Sequence, residues 1–132
     1  MFDRNDLARG WLTKGDHDFA NAQQTLASGS PLDTACFHCQ QAAEKYLKAL
    51  LAWHGLSIPR THDVRLLKEQ CQAVAPGLGL AKVDVSILTP YAVDLRYDLD
   101  FAPSPEQTAQ ALALATQVRA AVVRLLPPIA CP

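Results

Sequence analysis

The sequence predicts an all-α fold, on three observations. Apolar residues recur at helical spacing along successive stretches, no stretch reads as a paired strand, and glycine and proline punctuate the gaps between stretches. The expected architecture is a bundle of about five helices, one of them broken. It should form a single domain over residues 1–126, with a short Pro-containing tail at 127–132. The length of 132 residues suits one core, and 49% hydrophobic residues with a formal charge of −1 fit a globular chain. That balance excludes a broad basic surface for nonspecific nucleic-acid binding, though not a local basic site.

The first helix should span Asp6 to Leu26 with Asn5 as N-cap. Leu7, Ala8, Trp11, Leu12, Gly15, Phe19, Ala22 and Leu26 form its stripe, and Ser28-Gly29-Ser30-Pro31 ends it. The second runs from about Leu32 to His54 and closes on Gly55. Cys36, Cys39, Ala43, Tyr46, Leu47 and Leu50 share its packing face. Phe37, Gln41, Glu44 and Lys48 lie opposite, flanked by Lys45 and His38, and this stripe is expected to be the polar side.

Thr61 or His62 should open the third helix, which reaches about Val74, and Ala75 to Leu80 is a loop. The fourth covers roughly Val83 to Tyr97, begun or kinked by Pro90. A turn at Asp98 to Pro103 precedes the last helix, for which Ser104, Pro105 and Gln107 supply N-cap, first residue and capping box. That helix runs to about Leu126 and is apolar over most of its circumference, so something must cover two of its sides. A second subunit and a central place within one monomer are the two candidate covers.

Cys36-Phe37-His38-Cys39 has the spacing of redox and zinc motifs. A structural zinc site needs two ligand pairs on turns, whereas Cys71 and Cys131 are isolated and the pair sits in a helical apolar pattern. Both cysteines are therefore expected as small buried hydrophobes, with no metal and no cofactor. With no secretory segment and no membrane-spanning run, a cytoplasmic protein with reduced thiols is expected.

Three stretches resemble the HEPN domain family. They are Trp11-Leu12 with Asp18-Phe19 and Ala22, then Cys36 through Leu51 followed by Thr61-His62-Asp63 and Leu66-Leu67, and finally Leu88-Thr89-Pro90-Tyr91 leading to Arg96-Tyr97. The second is the most specific, with its paired glutamines, Glu-Lys and second lysine. The resemblance implies an antiparallel bundle that commonly forms homodimers. It also implies an association with nucleotides or RNA, and a minimal nucleotidyltransferase as companion in a toxin–antitoxin-type pair.

Many HEPN proteins are metal-independent ribonucleases using an R-x4-6-H motif. This chain has Arg96 in place but no histidine after it; Asp98 and Asp100 follow instead. A carboxylate repels phosphate and lacks the near-neutral pKa of histidine. The leading reading is therefore a dimeric binding protein without catalytic residues. The alternatives are a ribonuclease toxin with a remodelled site, using Asp98 or His62 with Arg96, and a structural dimeric adaptor.

The ligand-binding candidates are Arg96, Lys48, Lys45, Gln41, Glu44 and Asp18. Arg96 can hold phosphate bidentately or serve the helix dipole at a C-terminus. Lys45 and Lys48 add positive charge beside a nucleotide or RNA, unless Lys48 simply pairs with Glu44 at i,i+4. Gln41 suits a base edge, an interface or a neighbouring helix. Asp18 suits a salt bridge across the bundle, to Lys48 or Arg96.

Overall fold

The computed structural model describes residues 2–92 and 99–132. Within them the fold is all-α: helices α1 (Arg4–Ser28), α2 (Leu32–Trp53), α3 (Val64–Val74) and α4 (Pro105–Arg124), with short 3-10 turns at Pro76–Leu78, Ser86–Tyr91 and Pro128–Ala130. No strand occurs among the described residues. The fourth predicted helix is represented by the Ser86–Tyr91 turn, with Pro90 inside it. Residues 83–85, expected at its start, are irregular, and its residues 93–97, including Arg96 and Tyr97, lie outside the described residues together with Asp98 of the expected turn.

Local chemistry sets the helix starts. Asp3, not Asn5, caps α1, because its carboxylate accepts the Asp6 N–H at 2.9 Å while the Asp6 carboxylate accepts the Asp3 N–H at 3.2 Å. Asn5 instead accepts the Trp53 indole N–H at 2.9 Å, joining the start of α1 to the end of α2. Gly29 ends α1 at φ 88°, a left-handed conformation that costs glycine little. Asp63, rather than Thr61 or His62, caps α3 by accepting the N–H groups of Arg65 and Leu66. The Ser104–Gln107 capping box opens α4 as read from the sequence. The last N–H groups near its end, on Leu125 and Leu126, turn to carbonyls three residues back, so regular helix ends at Arg124.

Side-chain pairs give the topology. Asn5–Trp53, Asp16–Tyr46 and Asp18–Lys45 run in opposite order along α1 and α2, so these helices are antiparallel. Arg9 donates to the Cys131 carbonyl at 2.7 Å, and Asp16 meets Arg119, so α1 also opposes α4 and the tail lies along α1.

Helix α2 is central, touching α1, α3, α4 and the Ser86–Tyr91 turn. Cys36, Cys39, Ala43, Tyr46, Leu47 and Leu50 are fully buried, as expected of the packing face. The opposite stripe corrects the expectation. Glu44 and Lys48 are only 3% and 8% exposed. Trp11 of α1 covers Lys48, and the connector ahead of α3 brings His62 onto Glu44, so both charges are buried while Lys45 and His38 beside them stay partly exposed.

The second side of α4 is also covered from within the chain. Arg124 donates to the carbonyls of Gly77 and Leu78. The segment Leu78–Val83 faces Gln117, Ala121 and Arg124 across a shallow cleft. Leu112, Ala121, Val123 and Leu125 are partly buried against the core. The apolar breadth of α4 is thus accounted for by one subunit.

Candidate ligand-binding site

Three polar clusters join α2 to its neighbours. In the first, Asp18 of α1 sits between two basic side chains, with His38 Nδ1 at 2.8 Å and Lys45 Nζ at 2.5 Å. His38 and Lys45 are seven residues apart, two helical turns, so they stand on the same side of α2. Their side chains keep about a quarter of their exposure (26% and 24%), while Asp18 retains 13%. Asp18 does bridge the bundle, but to Lys45 and His38 rather than to Lys48.

In the second, Glu44 accepts from Lys48 at 3.4 Å and lies 2.8 Å from His62 Nδ1. Lys48 Nζ also sits 5.6 Å from the Trp11 ring centre, within cation–π reach. Beside it, Gln41 donates to Gln40 Oε1 at 2.7 Å and Gln40 donates to the His62 carbonyl at 2.8 Å. The paired glutamines therefore pin the connector to α2. Of the six ligand-binding candidates, Glu44 and Lys48 are buried, Gln41 is half-buried in this relay, and Asp18 and Lys45 lie together where part of each side chain is exposed. Arg96 falls among residues 93–98, outside the described residues.

The third cluster had not been read from the sequence. Arg119 of α4 holds Asp16 in a fork, Nε to Oδ1 at 2.8 Å and Nη2 to Oδ2 at 3.0 Å. The Tyr46 hydroxyl donates to Asp16 Oδ1 at 2.7 Å. The one signal in the sequence was a charged residue set between Val118 and Ala120 in an otherwise apolar run. Burial pushes the Asp16 pKa up, but the Arg119 and Tyr46 hydrogen bonds and the Arg119 charge together hold it below 3.8.

A depressed carboxylate pKa adds stability above its unfolded value, and that stability is lost as pH falls through the folded value. Asp16→Asn should therefore lower stability near pH 6 by about 1 kcal/mol, the scale of a partly exposed pair. The two proteins should converge as pH falls through the folded value, which lies below 3.8. Urea titrations across that range check this, and parallel curves for the two proteins would contradict it.

An aromatic cleft of about 300 Å³ opens next to the first cluster, lined by Asp33, Thr34, Phe37, His38, Tyr91 and Phe101. Tyr91 and Phe101 stack at 5.7 Å with 30° between planes. Phe37 meets His38 edge-on at 5.4 Å. His38 therefore belongs both to the Asp18–Lys45 cluster and to the cleft wall. The cleft's volume lies at the small end of ordinary ligand sites.

The cysteines pack as expected. Burial pushes Cys39 and Cys71 up to about 12 and raises Cys36, so all three are neutral thiols near pH 7. Cys36 Sγ lies 3.5 Å from Thr108 Oγ1, and Cys71 donates to the Leu47 carbonyl at 3.2 Å. No group of three or more His, Cys, Asp or Glu side chains suited to a metal ion occurs among the described residues, and no helix of the described residues is long and apolar enough to cross a membrane.

The model of the HEPN domain matches residues 8–126, from the first buried alanine of α1 to just past the end of α4. The chain belongs to the HEPN domain family. HEPN membership places it among helical domains associated with nucleotides and RNA. A solved structure, the crystal structure of TT1696 from Thermus thermophilus, is similar to this chain at 30% identity and a TM-score of 0.70. That match covers 90% of this chain and 98% of the other. No curated protein matches.

Proposed function

We propose that this HEPN protein is a dimeric, non-catalytic binding protein for a nucleotide or RNA. In this reading it is partnered with a minimal nucleotidyltransferase in a toxin–antitoxin-type pair. The observation that carries the binding role is the aromatic cleft abutting the His38–Asp18–Lys45 cluster. A base stacks on flat, sequence-tolerant aromatic faces, and the Tyr91–Phe101 stack offers one. A phosphate needs a cation at the rim. Lys45 is that cation, with His38 beside it, against the carboxylates of Asp18 in the cluster and Asp33 in the cleft lining. Binding rather than cleavage fits a chain whose four histidines all precede Arg96.

The test is calorimetry with ATP and with a short single-stranded RNA. Phe101→Ala should weaken binding about tenfold or more, the scale of one base–aromatic stack. Lys45→Ala should weaken it about tenfold, as loss of one charge-assisted contact. Lys82→Ala, exposed and away from the cleft, should change nothing. RNA incubated with the protein in EDTA should stay intact. Cleavage in EDTA would move the assignment to the ribonuclease reading. Equal affinity of all variants would remove the cleft as the site.

The adaptor reading has its own support in the Glu44–Lys48–His62 network, in which Glu44 and Lys48 are buried. Absence of binding to either ligand at millimolar concentration would leave that reading standing.

A further inference from the structure

An apolar surface with no cover among the described residues lies on the first turns of α1. Phe2 is 75% exposed and Leu7 45%. With Asp6, Gly10, Trp11 and Lys14 they line a groove of about 270 Å³. Gly10 is the unusual member. It sits inside a helix, where glycine costs about 0.5–1 kcal/mol relative to alanine. Nothing among the described residues requires it, since a Cβ there meets no atom of theirs within 4 Å. Gly15, by contrast, lies under the Tyr46 ring.

Asp6 and Lys14 flank Gly10 at equal distance, four residues to either side. On a helix that places opposite charges about 12 Å apart with the glycine midway. Such a stripe is complementary to itself when reversed.

We infer that this groove is the interface between two copies of the chain, with the α1 helices crossing antiparallel about a two-fold axis at Gly10. Asp6 of each copy then meets Lys14 of the other, giving two identical ion pairs. Leu7 and Trp11 of the two copies close over one another between them, and Gly10 allows the backbones to approach. A two-fold interface requires this kind of self-complementarity, each patch contacting its own symmetry mate. Trp11 also stacks over Lys48, so pairing seals one edge of that buried ion pair from water. The inference rests on the homodimer reading and assigns the face that such a dimer uses.

Sedimentation equilibrium over a dilution series, from about 1 to 100 μM, measures the molecular mass. Each substitution counts twice in a two-fold dimer. Lys14→Glu therefore places two carboxylate pairs in opposition and should weaken self-association about tenfold or more. Asp6→Lys should do the same. The double variant Asp6→Lys with Lys14→Glu restores both pairs in reverse and should restore the dimer. The reciprocal Asp3–Asp6 cap is lost equally in the single and double Asp6 variants, so recovery in the double cannot come from the cap. Gly10→Leu, at a position where an added Cβ meets no described atom within 4 Å, should wedge the copies apart.

A wild-type dimer unchanged by Lys14→Glu and Gly10→Leu would overturn the face and leave the dimer reading intact. A wild-type monomer at 100 μM would overturn both. The cleft variants of the binding test lie apart from this groove, so that test reports independently.

Discussion

Replacing Glu44 by alanine is expected to cost the fold about 3–5 kcal/mol, the effect of stranding one member of a buried ion pair. Lys48 is 8% exposed, and Glu44 is the carboxylate beside it, at 3.4 Å. The Trp11 ring lies within cation–π reach of Lys48, and such a contact supplies at most about 2 kcal/mol. His62 loses its carboxylate in the same substitution, loosening the connector that the glutamine relay holds. The double variant Glu44→Leu with Lys48→Met, apolar and of similar bulk, should recover most of the loss. Urea unfolding followed by circular dichroism reads both. A Glu44→Ala midpoint equal to wild type would mean that the Lys48 ammonium is satisfied elsewhere. The recovered double variant should still bind nucleotide if Lys45 and His38 are the cationic rim.

Gly15→Ala should destabilise by about 1–3 kcal/mol, an overpacking penalty. This opposes the general rule that alanine is better than glycine inside a helix by about 0.5–1 kcal/mol. The added Cβ would stand 2.6 Å from Tyr46 Cε1 and 2.8 Å from Cδ1. The ring cannot swing aside cheaply, because it is fully buried and its hydroxyl is bonded to Asp16, itself gripped by Arg119. Gly10→Ala, on the exposed side of the same helix, should follow the general rule and raise the folding midpoint of the separated chain. Opposite signs at two glycines five residues apart are the measurement. A raised midpoint for Gly15→Ala would show that α1 shifts away from α2 without cost.

The helices were legible because their signals are local. Ser104, Pro105 and Gln107 satisfy the first N–H groups of α4 from within one turn, so the pattern carries its own geometry. Cys36 and Cys39 fell on the packing face for the same reason, since spacing along a helix determines direction around it. The polar stripe of α2 was misjudged because its burial is decided elsewhere. Trp11, thirty-seven residues before Lys48, and His62, eighteen after Glu44, bring the cover. The Asp16–Tyr46–Arg119 cluster draws on three helices and has no local signature. Asp18 bridges the bundle as its charge suggests, but on α2 it meets Lys45, about one turn before Lys48, while Arg96, the other expected partner, lies outside the described residues. The aromatic cleft needs Phe37 and Phe101 side by side, and only the tertiary fold supplies that.

The enclosure of α2 by three helices and a turn separates kinship from chemistry in this protein. The stretch most specific to the family is the one with neighbours on every side, where a change of shape disturbs several elements at once. His38 and Lys45 stand at its rim, each keeping about a quarter of its side-chain exposure. Two chains can agree along this helix and handle different molecules. A missing histidine after Arg96 is therefore compatible with unmistakable membership, because lineage is written in the interior and trade at the edge.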